Sequence, residues 1–175
     1  VLFRSQGRLV EDAAVTATFA AVLTAVEEQI ASVEADILAS VAADPVWAAL
    51  DAAFREIKGV GDRTVARLLA ELPEIGTLTN KAVSKLAGLA PIADDSGKRQ
   101  GRRHVRGGRE GVRSILFVVA RMVCKWVPDF AAFRDRLRAA GKPFKVVCTA
   151  LAHKLLVRLN AKARDAREAL AAATA

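Results

Sequence analysis

Apolar residues recur at intervals of three and four along most of this 175-residue chain, and this spacing is the strongest constraint on its fold. Ala, Leu and Val supply most of the apolar positions, while aromatic residues make up only 5% of the sequence and tyrosine is absent. Residues that favour strands are therefore scarce, and residues that favour helices are abundant. The sequence predicts an all-α protein.

The first 54 residues are predicted to form a helical connector. From Glu11 to about Leu38 the apolar positions form a narrow stripe, made of Val15, Phe19, Val22, Val26, Ile30, Val33 and Ile37. A narrow stripe is typical of a coiled coil, or of a helix that packs on its own domain. Asp44 followed by Pro45 predicts the start of a second helix, since Asp caps helices and Pro fits their first position. We expect this connector to join copies into a homo-oligomer.

Charge is divided unevenly along the chain. Residues 1–56 hold nine acidic and three basic residues, a net charge of −6, whereas residues 57–175 hold ten acidic and twenty-four basic residues, a net charge of +14. A strongly basic region favours binding to nucleic acid. The second part of the chain is therefore the candidate for that interaction.

Several classes of function lack support in the sequence. No run of about eighteen uncharged apolar residues is present, so no membrane span is expected. Cys124 and Cys148 lie in apolar helical patterns without metal-ligand spacing, which predicts buried thiols in a reducing cytoplasm and no metal site. The absence of tyrosine excludes a tyrosine nucleophile in this chain. The first residues contain neither an initiator Met nor a secretory signal, and we expect a longer protein.

A glycine turn at residues 57–61 precedes an amphipathic helix, and we interpret residues 57–72 as a helix-hairpin-helix motif. Gly59 and Gly61 allow a tight turn that exposes backbone N–H groups at a helix N-terminus, where a phosphate can bind. Glycine also occurs in many purely structural turns between helices. Both interpretations of this turn stay open at this point.

A strongly basic loop spans residues 90–111, between helical segments. Seven cations lie from position 98 to position 113, against the single acid Glu110, and they are Lys98, Arg99, Arg102, Arg103, Arg106, Arg109 and Arg113. Guanidinium groups pair with phosphate oxygens, so the predicted ligand is a nucleic-acid backbone. Ser96, followed by Gly97, is a candidate nucleophile that nearby cations could activate. Asp94 and Asp95 could act as a base, although aspartates in this position also form ordinary turns.

Short motifs in a fixed order resemble the C-terminal domain of the DEDD insertion-sequence transposases, over about residues 55–160. The motifs are Gly59-Val60-Gly61, Leu68-Leu69-Ala70-Glu71-Leu72, Ile75-Gly76, Leu86-Ala87-Gly88-Leu89-Ala90-Pro91, Ser96-Gly97-Lys98-Arg99, Gly141-Lys142-Pro143 and Lys154-Leu155-Leu156. In that family a RuvC-like nuclease domain is joined to a helical domain that carries a serine, and a bridging RNA acts as guide. Residues 161–175 would form a helical or frayed tail.

The resemblance implies a site-specific recombinase of the prokaryotic cytoplasm. It implies that Ser96 attacks a DNA phosphate and forms a 5′-phosphoserine link, while a RuvC-like domain outside this chain holds Mg2+. The family often has a Gly-Asn pair after the basic loop, where this chain has Gly108-Arg109. We expect this chain to be inactive without the RuvC-like domain.

Two other hypotheses compete with recombination. In one, the chain is a non-catalytic module whose hairpin and basic loop bind backbone phosphates without reading sequence. In the other, it is a helical assembly domain whose basic loop is only a solvated surface. The assembly hypothesis is the least favoured, because a dense cluster of cations is costly without an anionic partner.

Overall fold

The computed structural model describes residues 13–93, 95–97, 101 and 103–174, and over these residues the fold is almost entirely helical. Seven helices and two short strands are present in this part of the chain. They are α1 (Ala13–Ala43), α2 (Pro45–Arg55), α3 (Asp62–Glu71), α4 (Asn80–Leu86), β1 (Pro91–Ile92), β2 (His104–Val105), α5 (Glu110–Trp126), α6 (Pro128–Ala139) and α7 (Phe144–Thr174). The all-α prediction is confirmed. Contacts divide the chain into two compact units, Val1–Ser40 and Val41–Ala175.

The first unit, where the structure describes it, consists of helix α1, and its apolar stripe is exposed. The seven stripe residues from Val15 to Ile37 have 39–58% of their surface exposed. The coiled coil predicted from this stripe stays a prediction. No single helix in the described ranges is long and apolar enough to cross a membrane, and α1 and α2 reach that threshold only when taken together as a bent pair.

The second unit is built around α7, which packs against α2, α4, α5 and α6. The buried apolar residues of α7 recur at helical spacing and face these neighbours. They are Val147, Cys148, Leu151, Ala152, Leu155, Leu156, Leu159 and Ala163. Asp44 caps α2 as predicted, since its Oδ1 accepts hydrogen bonds from the backbone N–H groups of Val46 and Trp47 at 2.8 and 2.9 Å. Helix α2 then buries Leu50 and Phe54 in the same core.

A fully buried asparagine on α7 holds the turn between α3 and α4. Asn160 Oδ1 accepts a hydrogen bond from the Gly76 N–H at 2.9 Å, and its Nδ2 donates to the Leu78 carbonyl and to Asn80 Oδ1, both at 3.0 Å. The helix and the turn are in close contact, because a Cβ on Gly76 would lie 2.8 Å from the carbonyl carbon of Ala163. These contacts fix where α4 begins, and therefore where the basic loop leaves the core.

The last part of α7 also contacts this turn. The Arg167 guanidinium donates to the carbonyl oxygens of Ile75 and Pro73, both at 3.0 Å. The helix continues to Thr174, so residues 161–174 are helical. Four backbone groups of the turn are thus bound by side chains that lie more than eighty residues later in the sequence.

Candidate nucleic-acid interface

A two-stranded antiparallel ribbon lies within the basic loop. Pro91 of β1 lies opposite Val105 of β2, and Ile92 lies opposite His104. The sequence did not predict these strands, because two residues are too few for an alternating pattern to be recognised. The ribbon pairs two segments of the loop, and residues 93–103 separate these segments in the sequence.

Outside the ribbon, the backbones of Gly88 and Gly108 come into contact at the base of the loop. Gly108 lies against the backbone of Gly88, and a Cβ on Gly108 would be only 2.6 Å from the Leu86 carbonyl oxygen. The same carbonyl accepts a hydrogen bond from the Arg109 N–H at 2.9 Å. Gly108 has a φ of +69°, a conformation that residues with a side chain rarely adopt. The base of the loop therefore depends on glycine at this position.

Two of the predicted nucleic-acid-binding arginines also contribute to the base of the loop. Arg109 makes a bidentate ion pair with Glu74, with N–O distances of 2.5 and 2.6 Å. These hydrogen bonds from Arg109 lower the pKa of Glu74 to about 2. Arg113 donates to the Gly107 carbonyl oxygen at 2.5 Å. Their predicted contacts with nucleic acid stay predictions, but both side chains already hold the loop in place.

Ser96 is exposed within the loop. The neighbouring Asp95 accepts a hydrogen bond from the Gly101 N–H at 3.1 Å, so its carboxylate spans the loop as a turn aspartate does. No side chain among the residues that the structure describes forms a hydrogen bond with the Ser96 hydroxyl. Arg103 and Arg106 are also exposed. Asp94, Lys98, Arg99 and Arg102 lie outside the described residues.

The predicted hairpin is a turn between α2 and α3. Gly59 has a φ of +103°, and a Cβ there would lie 3.3 Å from the backbone nitrogen of Val123, so the turn packs against α5. Gly61 caps α3 with extended backbone and open space around it, and this position does not require glycine. Asp62, the first residue of α3, forms an ion pair with Arg55. The assignment of this turn as a phosphate-binding helix-hairpin-helix stays a prediction.

A lysine and a tryptophan lie together beside this turn. Lys58 Nζ lies 5.1 Å from the centroid of the Trp126 ring, and Trp126 is 54% exposed. An exposed ring beside a cation can stack on a base. The two residues are far apart in sequence, and no local pattern could have indicated their contact.

The described residues do not offer a metal site. No three His, Cys, Asp or Glu side chains come together there in an arrangement that could hold an ion. The Mg2+ that the family resemblance implies is assigned to a RuvC-like domain outside this chain, and that assignment stays a prediction. Cys124 and Cys148 are both buried, as predicted, and burial raises the pKa of both thiols.

A helical core that presents a strongly basic loop defines a candidate nucleic-acid-binding domain. The sequence model of the IS116/IS110/IS902 transposase family matches residues 51–135, which include the hairpin and the whole basic loop. The chain is also 33% identical over 153 residues to an uncharacterized 43.6 kDa protein of insertion element IS110 from Streptomyces coelicolor (strain ATCC BAA-471 / A3(2) / M145). That alignment covers 86% of the chain and 37% of the relative. Both matches support a transposase domain in this chain.

Proposed function

We propose that this chain is the part of a transposase that binds DNA and carries the attacking nucleophile, Ser96. The observation that supports the proposal most directly is an exposed serine in a loop that carries the densest cluster of cations in the sequence. The base of that loop is held by a ribbon, by glycine backbone and by the Arg109–Glu74 pair. A loop fixed at its base can hold a nucleophile in place at a phosphate without losing access to the DNA.

In the proposed step, Ser96 Oγ forms a bond to a DNA phosphorus and the bond from that phosphorus to the 3′ oxygen breaks. The serine proton leaves and a proton is taken up by the departing 3′ oxygen, so the strand ends in a free 3′-hydroxyl and a 5′-phosphoserine. Cations of the loop stabilise the charge that develops on the phosphate oxygens. Arg103 and Arg106 are the exposed candidates among the described residues, with Lys98, Arg99 and Arg102 beside them in the sequence.

Other parts of the proposal concern binding partners. The hairpin at Gly59 and Gly61 would contact a neighbouring DNA phosphate through backbone N–H groups, and a guide RNA would bind elsewhere on the basic surface. Mg2+ would be held by a RuvC-like domain outside this chain, where it would assist strand cleavage. No step assigned to the residues of this chain passes through that metal.

The test is a covalent adduct between the full-length transposase and DNA. We expect a DNA strand labelled at its 3′ end to migrate with the protein on a denaturing gel, because the 5′-phosphate would be bonded to serine. Ser96→Ala should remove the adduct and leave DNA affinity within about twofold, since a hydroxyl contributes little to phosphate binding. Ser114→Ala, which changes an exposed serine on α5, is the matched control and should keep the adduct.

A non-catalytic binding module is the second candidate, and one observation favours it. Asp95, which precedes Ser96 in the sequence, already accepts a hydrogen bond from the Gly101 N–H, and no described side chain forms a hydrogen bond with the Ser96 hydroxyl. If the wild-type protein binds DNA in a salt-sensitive manner but forms no adduct, the binding module is correct. An adduct that persists in Ser96→Ala would show that another residue is the nucleophile.

We also propose that α1 joins two copies of the chain. Its exposed apolar stripe, with positions three and four residues apart, matches the contact face of a two-stranded coiled coil. Ile30→Glu should weaken self-association by about tenfold or more, because it places two like charges at an apolar contact. Ala35→Glu adds the same charge on the opposite face of α1 and should have little effect. Sedimentation velocity measures both, and a monomeric wild-type chain would contradict the proposal.

A further inference from the structure

A cleft of about 180 Å³ opens where α5, α6 and α7 meet, and no residue of the basic loop lines it. Its floor is apolar and is formed by Cys124, Val147, Cys148 and Leu151, all of them buried. Leu151 follows Val147 by four positions and Cys148 by three, so the floor residues of α7 lie on one face of that helix. The cleft is smaller than typical pockets for drug-sized ligands, which begin at about 300 Å³. It has room for one small planar group rather than for a large cofactor.

The rim of the cleft is aromatic and strongly cationic. It is formed by Arg121, Arg134, Arg138 and Phe144. The Phe144 ring is 53% exposed, and the Arg121 guanidinium carbon lies 5.4 Å from its centroid. Arg134 pairs with Asp135 at 2.8 Å, which neutralises one of the three guanidinium groups. No acidic side chain lines the cleft among the residues that the structure describes.

Hydrogen bonds and a cation–π contact join helices α6 and α7 beside the cleft. Asp129, at the start of α6, accepts hydrogen bonds from Arg158 at 2.6 Å, and its backbone carbonyl accepts one from Lys154 at 2.8 Å. Lys154 also lies 4.8 Å from the centroid of the buried Phe130 ring. These contacts between α6 and α7 leave Arg121 and Arg138 on the exposed side of the cleft. Arg121 and Arg138 take no part in these contacts.

We propose that this cleft binds one unpaired nucleotide of a single strand, with the base against Phe144 and the phosphate on Arg121 and Arg138. An exposed ring, an apolar floor and cations at the edge are the elements with which proteins bind unpaired nucleotides. A base in a duplex could not enter, because its faces are covered by its neighbours. The choice of nucleic acid as ligand rests on the proposed function, whereas the binding itself does not involve Ser96.

The test measures binding of the 175-residue chain to fluorescein-labelled oligothymidine, oligouridine and a duplex of the same length. Phe144→Leu should weaken single-strand binding by about tenfold, the loss expected when one stacked base is no longer held by an aromatic ring. Phe144→Trp should restore it. Arg138→Gln should weaken it by about threefold, because one phosphate contact is lost. Each of the three variants should leave duplex binding within about twofold of wild type.

Arg136→Gln is the control, since it removes the same charge from α6 at a residue that does not line the cleft. Circular dichroism would show that each variant is folded. Equal losses for duplex and single strands, or wild-type affinity in both Phe144→Leu and Arg138→Gln, would overturn the proposal. The two single strands distinguish a DNA from an RNA ligand. Ser96→Ala should bind all probes as wild type does, so a failed adduct experiment would leave this result unaffected.

Discussion

Gly108→Ala is expected to lower the free energy of unfolding of the second unit by about 3 kcal/mol, the sum of a strained backbone and a steric clash. The φ of +69° at this position is unfavourable for alanine, and the new Cβ would press on the Gly88 backbone and the Leu86 carbonyl. The loop and the end of α4 would have to separate. Urea denaturation followed by circular dichroism measures the loss of stability.

Gly107→Ala separates the two causes, because its φ of +68° is nearly the same but no atom lies within 4 Å of the new Cβ. Gly107→Ala should lower the free energy of unfolding by only about 1 kcal/mol. Hydrogen exchange at the Arg109 N–H, which donates to Leu86, should accelerate far more in Gly108→Ala than in Gly107→Ala. If the two variants were equally stable, the close backbone contact would not hold the base of the loop.

Asn160→Leu is expected to lower the free energy of unfolding by about 3 kcal/mol, because three polar groups would lose a hydrogen bond and one of them, the buried Gly76 N–H, would be orphaned at a cost of about 1 to 3 kcal/mol. The groups are the Gly76 N–H, the Leu78 carbonyl and the Asn80 side-chain oxygen. The turn between α3 and α4 would then lose its attachment to α7. Thermal unfolding measures the change.

Asn80→Ala is the graded control. It removes one of the three contacts from an exposed residue and leaves Asn160 bound to Gly76 and Leu78. Its cost should be about 1 kcal/mol, the value of a single hydrogen bond. A loss as large as that of Asn160→Leu would place the stabilising role in Asn80 rather than in the buried amide.

Much of the helical architecture could be predicted from the sequence because local chemistry determines it. Asp44 and Pro45 start α2, Pro128 separates α5 from α6, and the apolar residues of α7 follow the spacing of a buried helix. The exposed stripe of α1 is also visible in the sequence. The surface that packs against that stripe is not determined by neighbouring residues in the sequence, so the coiled coil stays a prediction.

The base of the basic loop could not be predicted in the same way, because its contacts join residues distant in sequence. In the sequence Arg109 is one of seven cations with no acid nearby except Glu110. In the structure it forms an ion pair with Glu74, thirty-five positions earlier. Gly88 and Gly108 each fit an ordinary turn, and only the fold brings their backbones together. Arg134, Arg138 and Phe144 likewise form a cleft only after α6 packs against α7.

The attachment of the α3–α4 turn to α7 has a consequence for synthesis of the protein on the ribosome. Asn160 and Arg167, which satisfy this turn, are translated more than eighty residues after Gly76 and Leu78. The nascent chain therefore carries an incomplete core until α7 leaves the ribosome, since contacts between distant residues cannot form before both exist. The α3–α4 turn is therefore completed only after the basic loop and helices α5 and α6 have been translated.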